Sequence, residues 1–90
     1  FNKAIPKETT CGNLATCEVK VSCPIVNKNS VNIQTQMTGG GCSVRETTKD
    51  IVVNSSGPDG INGWRCVFSS ANLFTQQTVV ADAFCALVQP

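Results

Sequence analysis

Val31-Asn32-Ile33-Gln34-Thr35-Gln36-Met37-Thr38 is the stretch on which the fold turns. Val31, Ile33, Thr35 and Met37 alternate with Asn32, Gln34, Gln36 and Thr38. A period of two is the mark of a strand with one buried face. The flanks argue the other way. Ser30 is a good helix N-cap, and Gly39-Gly40-Gly41 would serve as a C-terminal stop. On the residues alone, both readings stand.

Toward the N-terminus the pattern is clearer. Cys17-Glu18-Val19-Lys20-Val21-Ser22-Cys23 alternates cleanly, which predicts a strand with both cysteines on its buried face. Pro24 lacks an N–H, so the ladder should end there or lie at an edge. Asn27-Lys28-Asn29-Ser30 reads as a turn or a helix entry. Phe1 to Thr10 is mostly polar and contains Pro6, which fits a loose arm or an edge strand.

Toward the C-terminus, Asp50 to Asn54 reads as a short strand. Ser55 to Gly63 is dense in turn signals: Gly57-Pro58, Asp59-Gly60 and Asn62-Gly63. Trp64 to Phe68 then reads as a strand with Trp64, Cys66 and Phe68 on one face, closing a hairpin over a long loop. Ser70 would cap a last helix. In that helix Leu73, Val80, Phe84 and Leu87 form one stripe, and Phe74, Ala81, Cys85 and Val88 the adjacent one. The competing reading ends this helix early and makes Phe84 to Val88 a final strand.

Ninety residues suit a single domain spanning 1–90, with 1–10 as its arm. A core this small usually needs crosslinks. The six cysteines, Cys11, Cys17, Cys23, Cys42, Cys66 and Cys85, are even in number and spread along the chain, a disulfide framework of an oxidising compartment. Zinc fits poorly, because there is no histidine and five residues lie between each of the first three cysteines. A start at Phe1 fits a processed, secreted, extracellular product. No run approaches the roughly 20 apolar residues of a membrane span. The net charge is +1 and the charges are scattered, unlike the footprint of a nucleic-acid binder.

Catalytic constellations are hard to find. Without histidine, neither a Ser-His-Asp nor a Cys-His arrangement can be built. Glu46 and Asp50, or Asp59, are carboxylates that a small hydrolase would use, although solvated surface charge is the simpler account. Gly39-Gly40-Gly41 lacks the Lys-Ser/Thr of a phosphate-binding loop. The expectation is therefore a protein that is not an enzyme and takes no metal or cofactor. Asn54-Ser55-Ser56 is a candidate N-glycosylation sequon. Gly57, Pro58, Asp59 and Gly60, with the neighbouring Trp64, form a candidate binding loop, while Trp64 as a strand residue equally suits the core.

Several local patterns resemble the killer-toxin family of smut fungi, the KP-six type, and related secreted fungal effectors. They are Gly63-Trp64-Arg65-Cys66-Val67-Phe68, then Leu73-Phe74-Thr75 and Phe84-Cys85, together with Asn29 to Cys42. The resemblance covers about half of the chain. It implies an α+β fold, a split β-α-β sandwich with two helices packed on one face of a small antiparallel sheet, held by three disulfides. Val31 to Thr38 would then be a helix with Ile33 and Met37 as an apolar pair. Within that fold Cys17 and Cys23 would bridge to Cys42 and Cys85, leaving Cys11 with Cys66. The function it implies is a secreted, non-enzymatic effector or toxin-like protein, with virulence as its setting, that binds a host or competitor target. Paired subunits in that family imply self-association or a partner chain. The alternative is a secreted inhibitor or ligand-binding module.

Overall fold

The computed structural model describes residues 2–12, 15–45, 51–70 and 75–87. Among them every regular element is a strand: β1 (Asn2–Gly12), β2 (Thr16–Ser22), β3 (Ile25–Lys28), β4 (Val31–Gln34), β5 (Gln36–Val44), β6 (Ile51–Asp59), β7 (Gly63–Ser70) and β8 (Thr75–Ala86). They form two three-stranded antiparallel sheets, ordered β1-β8-β5 and β2-β7-β6, and a two-stranded hairpin, β3-β4. The described residues span 49 × 18 × 18 Å.

The core lies between the two larger sheets. β8 contributes Val79, Ala81, Ala83 and Cys85, all fully buried at every second position. Facing them are Cys17, Val19 and Val21 of β2 and Cys66 and Phe68 of β7. All three disulfides cross this interface. Cys11 of β1 joins Cys17 of β2, Cys42 of β5 joins Cys66 of β7, and Cys85 of β8 joins Cys23, just past β2. Each bridge thus ties one sheet to the other. Loop-closure entropy alone makes such bridges worth about 2–4 kcal/mol each.

The α+β expectation, with two helices packed on one sheet face, is overturned, and the reasons are local. Val31 to Thr38 is β4, Thr35 and the start of β5, so the alternation was the true signal. Asn29 and Ser30 have φ of 53° and 64°. That is a tight hairpin turn of the primed kind, and it is not the extended backbone of an N-cap. Nor do the three glycines stop a helix. They lie inside β5, paired with Phe84, Ala83 and Asp82 of β8.

The expected last helix is β8, which pairs with β1 on one side and β5 on the other. Its unbroken apolar run from Val79 to Ala81 satisfies both periods, so a helical stripe could be drawn through it. Two-sided pairing decides for the strand. Leu73, Phe74 and Val88 of the expected stripes lie outside the described residues. Gln76, with φ of 65°, sits where the β1–β8 register shifts. The N-terminal segment takes the second of its two readings and is an edge strand along β8.

Of the expected pairing of cysteines, only a bridge between Cys23 and Cys85 is found. Cys11 joins Cys17 and Cys66 joins Cys42, so the Cys11–Cys66 bridge does not exist. A sandwich explains this. Each bridge joins a cysteine of the first sheet to one in, or just past, a strand of the second. The pairings of Cys11, Cys17, Cys42 and Cys66 differ because strands, not packed helices, carry Cys42 and Cys85.

Candidate functional site

The predicted binding loop is mostly strand. Gly57, Pro58 and Asp59 belong to β6 and pair with Arg65, Trp64 and Gly63 of β7. The turn itself is only Gly60-Ile61-Asn62, with Gly60 at φ of 70°. Pro58 is tolerated because β6 is an edge strand of its sheet. Trp64 points into the sandwich, packing against the core. A Cβ added at Gly40 would sit 2.2 Å from its ring, so Gly40 is the gap that the indole fills. Its Nε1–H donates to Ser56 Oγ at 3.1 Å. Of the five residues proposed, only Gly60 lies in the exposed turn.

The hairpin β3-β4 projects beside that turn. Cys23 N–H donates to Asn62 O at 2.6 Å, which fixes the start of the hairpin against the β6–β7 turn. Two-stranded hairpins are marginal alone, and this one is clamped at its base. Thr35 is fully buried, and both its N–H and its hydroxyl donate to Pro24 O, the latter at 2.6 Å. The Gln34 amide donates to Cys23 O at 2.8 Å. The Cys23–Cys85 bridge anchors the same point to the core.

The hairpin and the turn carry apolar side chains that sequence reading missed. Ile61 is 80% exposed, Ile25 64% and Val31 56%. In the hairpin register Val26 faces Ile33 and Lys28 faces Val31, which makes one face of the hairpin largely apolar. A signal was present at Ile61: a β-branched apolar residue between Gly60 and Asn62 is out of place in a solvent turn.

The ion pairs among the described residues join side chains of, or next to, the two larger sheets. Glu8 pairs with Arg45 across the first sheet. Glu18 lies on the outer face of the second sheet and accepts from Arg65 Nε at 2.7 Å, with Lys20 Nζ 3.7 Å away. The Arg65 hydrogen bond and charge, helped by Lys20, hold the Glu18 carboxyl below its ordinary value against a weaker desolvation effect. Asp59 is exposed in β6; Glu46 and Asp50 lie outside the described residues. Among the described residues there is no pocket, and no group of His, Cys, Asp and Glu could hold a metal ion. No described helix is long and apolar enough to cross a membrane. Asn54 is an exposed residue of β6.

Fold and surface together define a small disulfide-stapled all-β sandwich with a projecting hairpin. Three disulfides are compatible with a secreted protein. Comparison with protein-family models, curated proteins and solved structures finds no match.

Proposed function

We propose that this protein is a secreted, non-enzymatic effector or toxin-like protein that acts by binding a host or competitor target. One observation carries this reading: Ile25 and Val31 are exposed on the β3-β4 hairpin and Ile61 in the β6–β7 turn, which the bond from Cys23 N–H to Asn62 O ties to the base of the hairpin. Burying one such side chain against a partner stabilises a complex by about 1.5–3 kcal/mol. A clamped hairpin also brings little ordering cost to binding. Engagement of all six cysteines in bridges leaves no thiol for nucleophilic chemistry and suits an extracellular setting. Purified protein applied to plant leaf tissue and to fungal lawns tests the reading. Cell death or growth inhibition by the native protein, lost in an Ile25→Ser/Val31→Ser/Ile61→Ser variant that remains folded, is the expected result. Absence of any response in both systems counts against it.

A second reading, a secreted protease inhibitor, draws on Lys28. This exposed basic residue precedes the tight Asn29-Ser30 turn at the hairpin tip. Inhibition of a Lys-specific protease that is abolished by Lys28→Ala would favour it over the effector reading.

A further inference from the structure

The sequon Asn54-Ser55-Ser56 falls on β6 at the point where the β6–β7 register slips between Val53 and Ser55. Asn54 is thus the extra residue of a bulge, with no partner in the register. It is exposed, it lies on an edge strand, and the exposed Val52 and Val53 precede it. Ser56 is exposed as well, but it is engaged. It is paired with Cys66, its hydroxyl accepts from Trp64 Nε1, and it lies 3.1 Å from Cys42 Sγ. Both residues are exposed in the folded protein, but the Ser56 hydroxyl that completes the acceptor motif is bonded to the indole beside the Cys42–Cys66 bridge, and Ser55 and Ser56 are paired with β7, so the motif is held in the ladder.

We propose that Asn54 is an N-glycosylation site modified before β6 docks on β7, with the glycan then accommodated at the bulge. In the transfer, the Asn54 amide nitrogen bonds to the anomeric carbon of an oligosaccharide carried on a lipid diphosphate. The bond from that carbon to the diphosphate oxygen breaks, the lipid diphosphate leaves with the electron pair, and one amide proton is lost. The bulge matters because a paired, inward-facing asparagine would force the sandwich apart, whereas this one projects from an edge. Open access alone would let the folded protein be modified at any time. The engagement of Ser56 sets the order of events.

The test uses the full chain. Secreted from a eukaryotic host behind a cleavable leader, it should exceed its sequence mass by a whole oligosaccharide. Enzymatic release of that glycan should convert Asn54 to Asp, a gain of about one dalton. Asn54→Gln and Ser56→Ala should each abolish the addition, and Ser56→Thr, which keeps the hydroxyl, should retain it. Microsomal membranes loaded with lipid-linked oligosaccharide should modify the reduced, unfolded chain and leave the disulfide-bonded folded protein unmodified. Secretion of the native sequence at its bare mass, or a glycan that persists in Asn54→Gln, would overturn the site. Equal modification of folded and unfolded chains would overturn the order of events.

Discussion

The indole of Trp64 occupies the space that a side chain at Gly40 would need: a Cβ there would lie 2.2, 2.4 and 2.6 Å from three ring atoms. Trp64 belongs to the second sheet and Gly40 to the first, so the contact sets how closely the two approach. Gly40→Ala should therefore destabilise the fold by about 1–3 kcal/mol, the usual cost of overpacking. Gly41 has nothing within 4 Å of its added Cβ. Gly41→Ala should be neutral or slightly stabilising, by up to about 1 kcal/mol, because it restricts the unfolded chain. Urea unfolding followed by Trp64 fluorescence measures both.

The three bridges close very different lengths of chain, with separations of 62, 24 and 6 residues for Cys23–Cys85, Cys42–Cys66 and Cys11–Cys17. Loop-closure entropy ranks their stabilisation at about 4, 3.5 and 2 kcal/mol in that order. Paired Cys→Ala variants should lower thermal stability in the same order. Peptide mapping under non-reducing conditions should recover the three linked pairs and no Cys11–Cys66 peptide.

Glu18 carries a pH dependence whose sign follows from Arg65. Its folded-state carboxyl ionises below its ordinary value, with the Arg65 hydrogen bond as the largest cause. The pair therefore contributes stability at pH above the unfolded-state carboxylate range, and that contribution is lost as the pH falls through the lowered folded value. An NMR titration should find Glu18 ionising below a free glutamate. Arg65→Gln should move it back up and flatten the acid side of the stability profile.

Thr35 is a polar residue with no exposed surface, and its hydroxyl reaches Pro24 O at 2.6 Å. Thr35→Val keeps the volume and removes that bond. It should cost about 0.5–1.5 kcal/mol. Faster amide exchange across β3 and β4 than across β7 would show that the loss is felt at the hairpin base.

Exposed and buried apolar residues should separate cleanly. Phe68 has no exposed surface, and Phe68→Ala should cost about 3–5 kcal/mol. Ile25→Ser, Val31→Ser and Ile61→Ser should each stay within about 0.5 kcal/mol of the native protein. If the hairpin and the turn serve recognition, these three should lose activity on leaf tissue or fungal lawns with their melting temperatures kept.

Much of the sandwich was legible locally. The alternation of Cys17 to Cys23 and of Trp64 to Phe68 named two inward faces, and both are inward in the fold. Val31 to Thr38 was legible too, but its turn signal at Asn29-Ser30 and its glycines admitted a helical account. The run from Val79 to Cys85 was not legible, because apolar residues at nearly every position fit a central strand and a helix equally well. The binding loop was misplaced because Gly57 and Pro58 look like turn residues, while an edge strand tolerates both. The site residues Ile25, Val31 and Ile61 are ordinary aliphatics, and only their exposure on the hairpin and the turn tied to its base makes them notable.

By itself, the sequence determined chemistry that depends on which side chains exist. Six cysteines and no histidine allow three bridges and remove histidine-based catalysis wherever the chain goes. It also determined strand faces, because a period of two is a local property. Only the tertiary structure decided which cysteine meets which, that β8 is a central strand, and that Gly40 is a gap for Trp64. These depend on what lies across the sandwich, often dozens of residues away, and no local period records the opposite sheet.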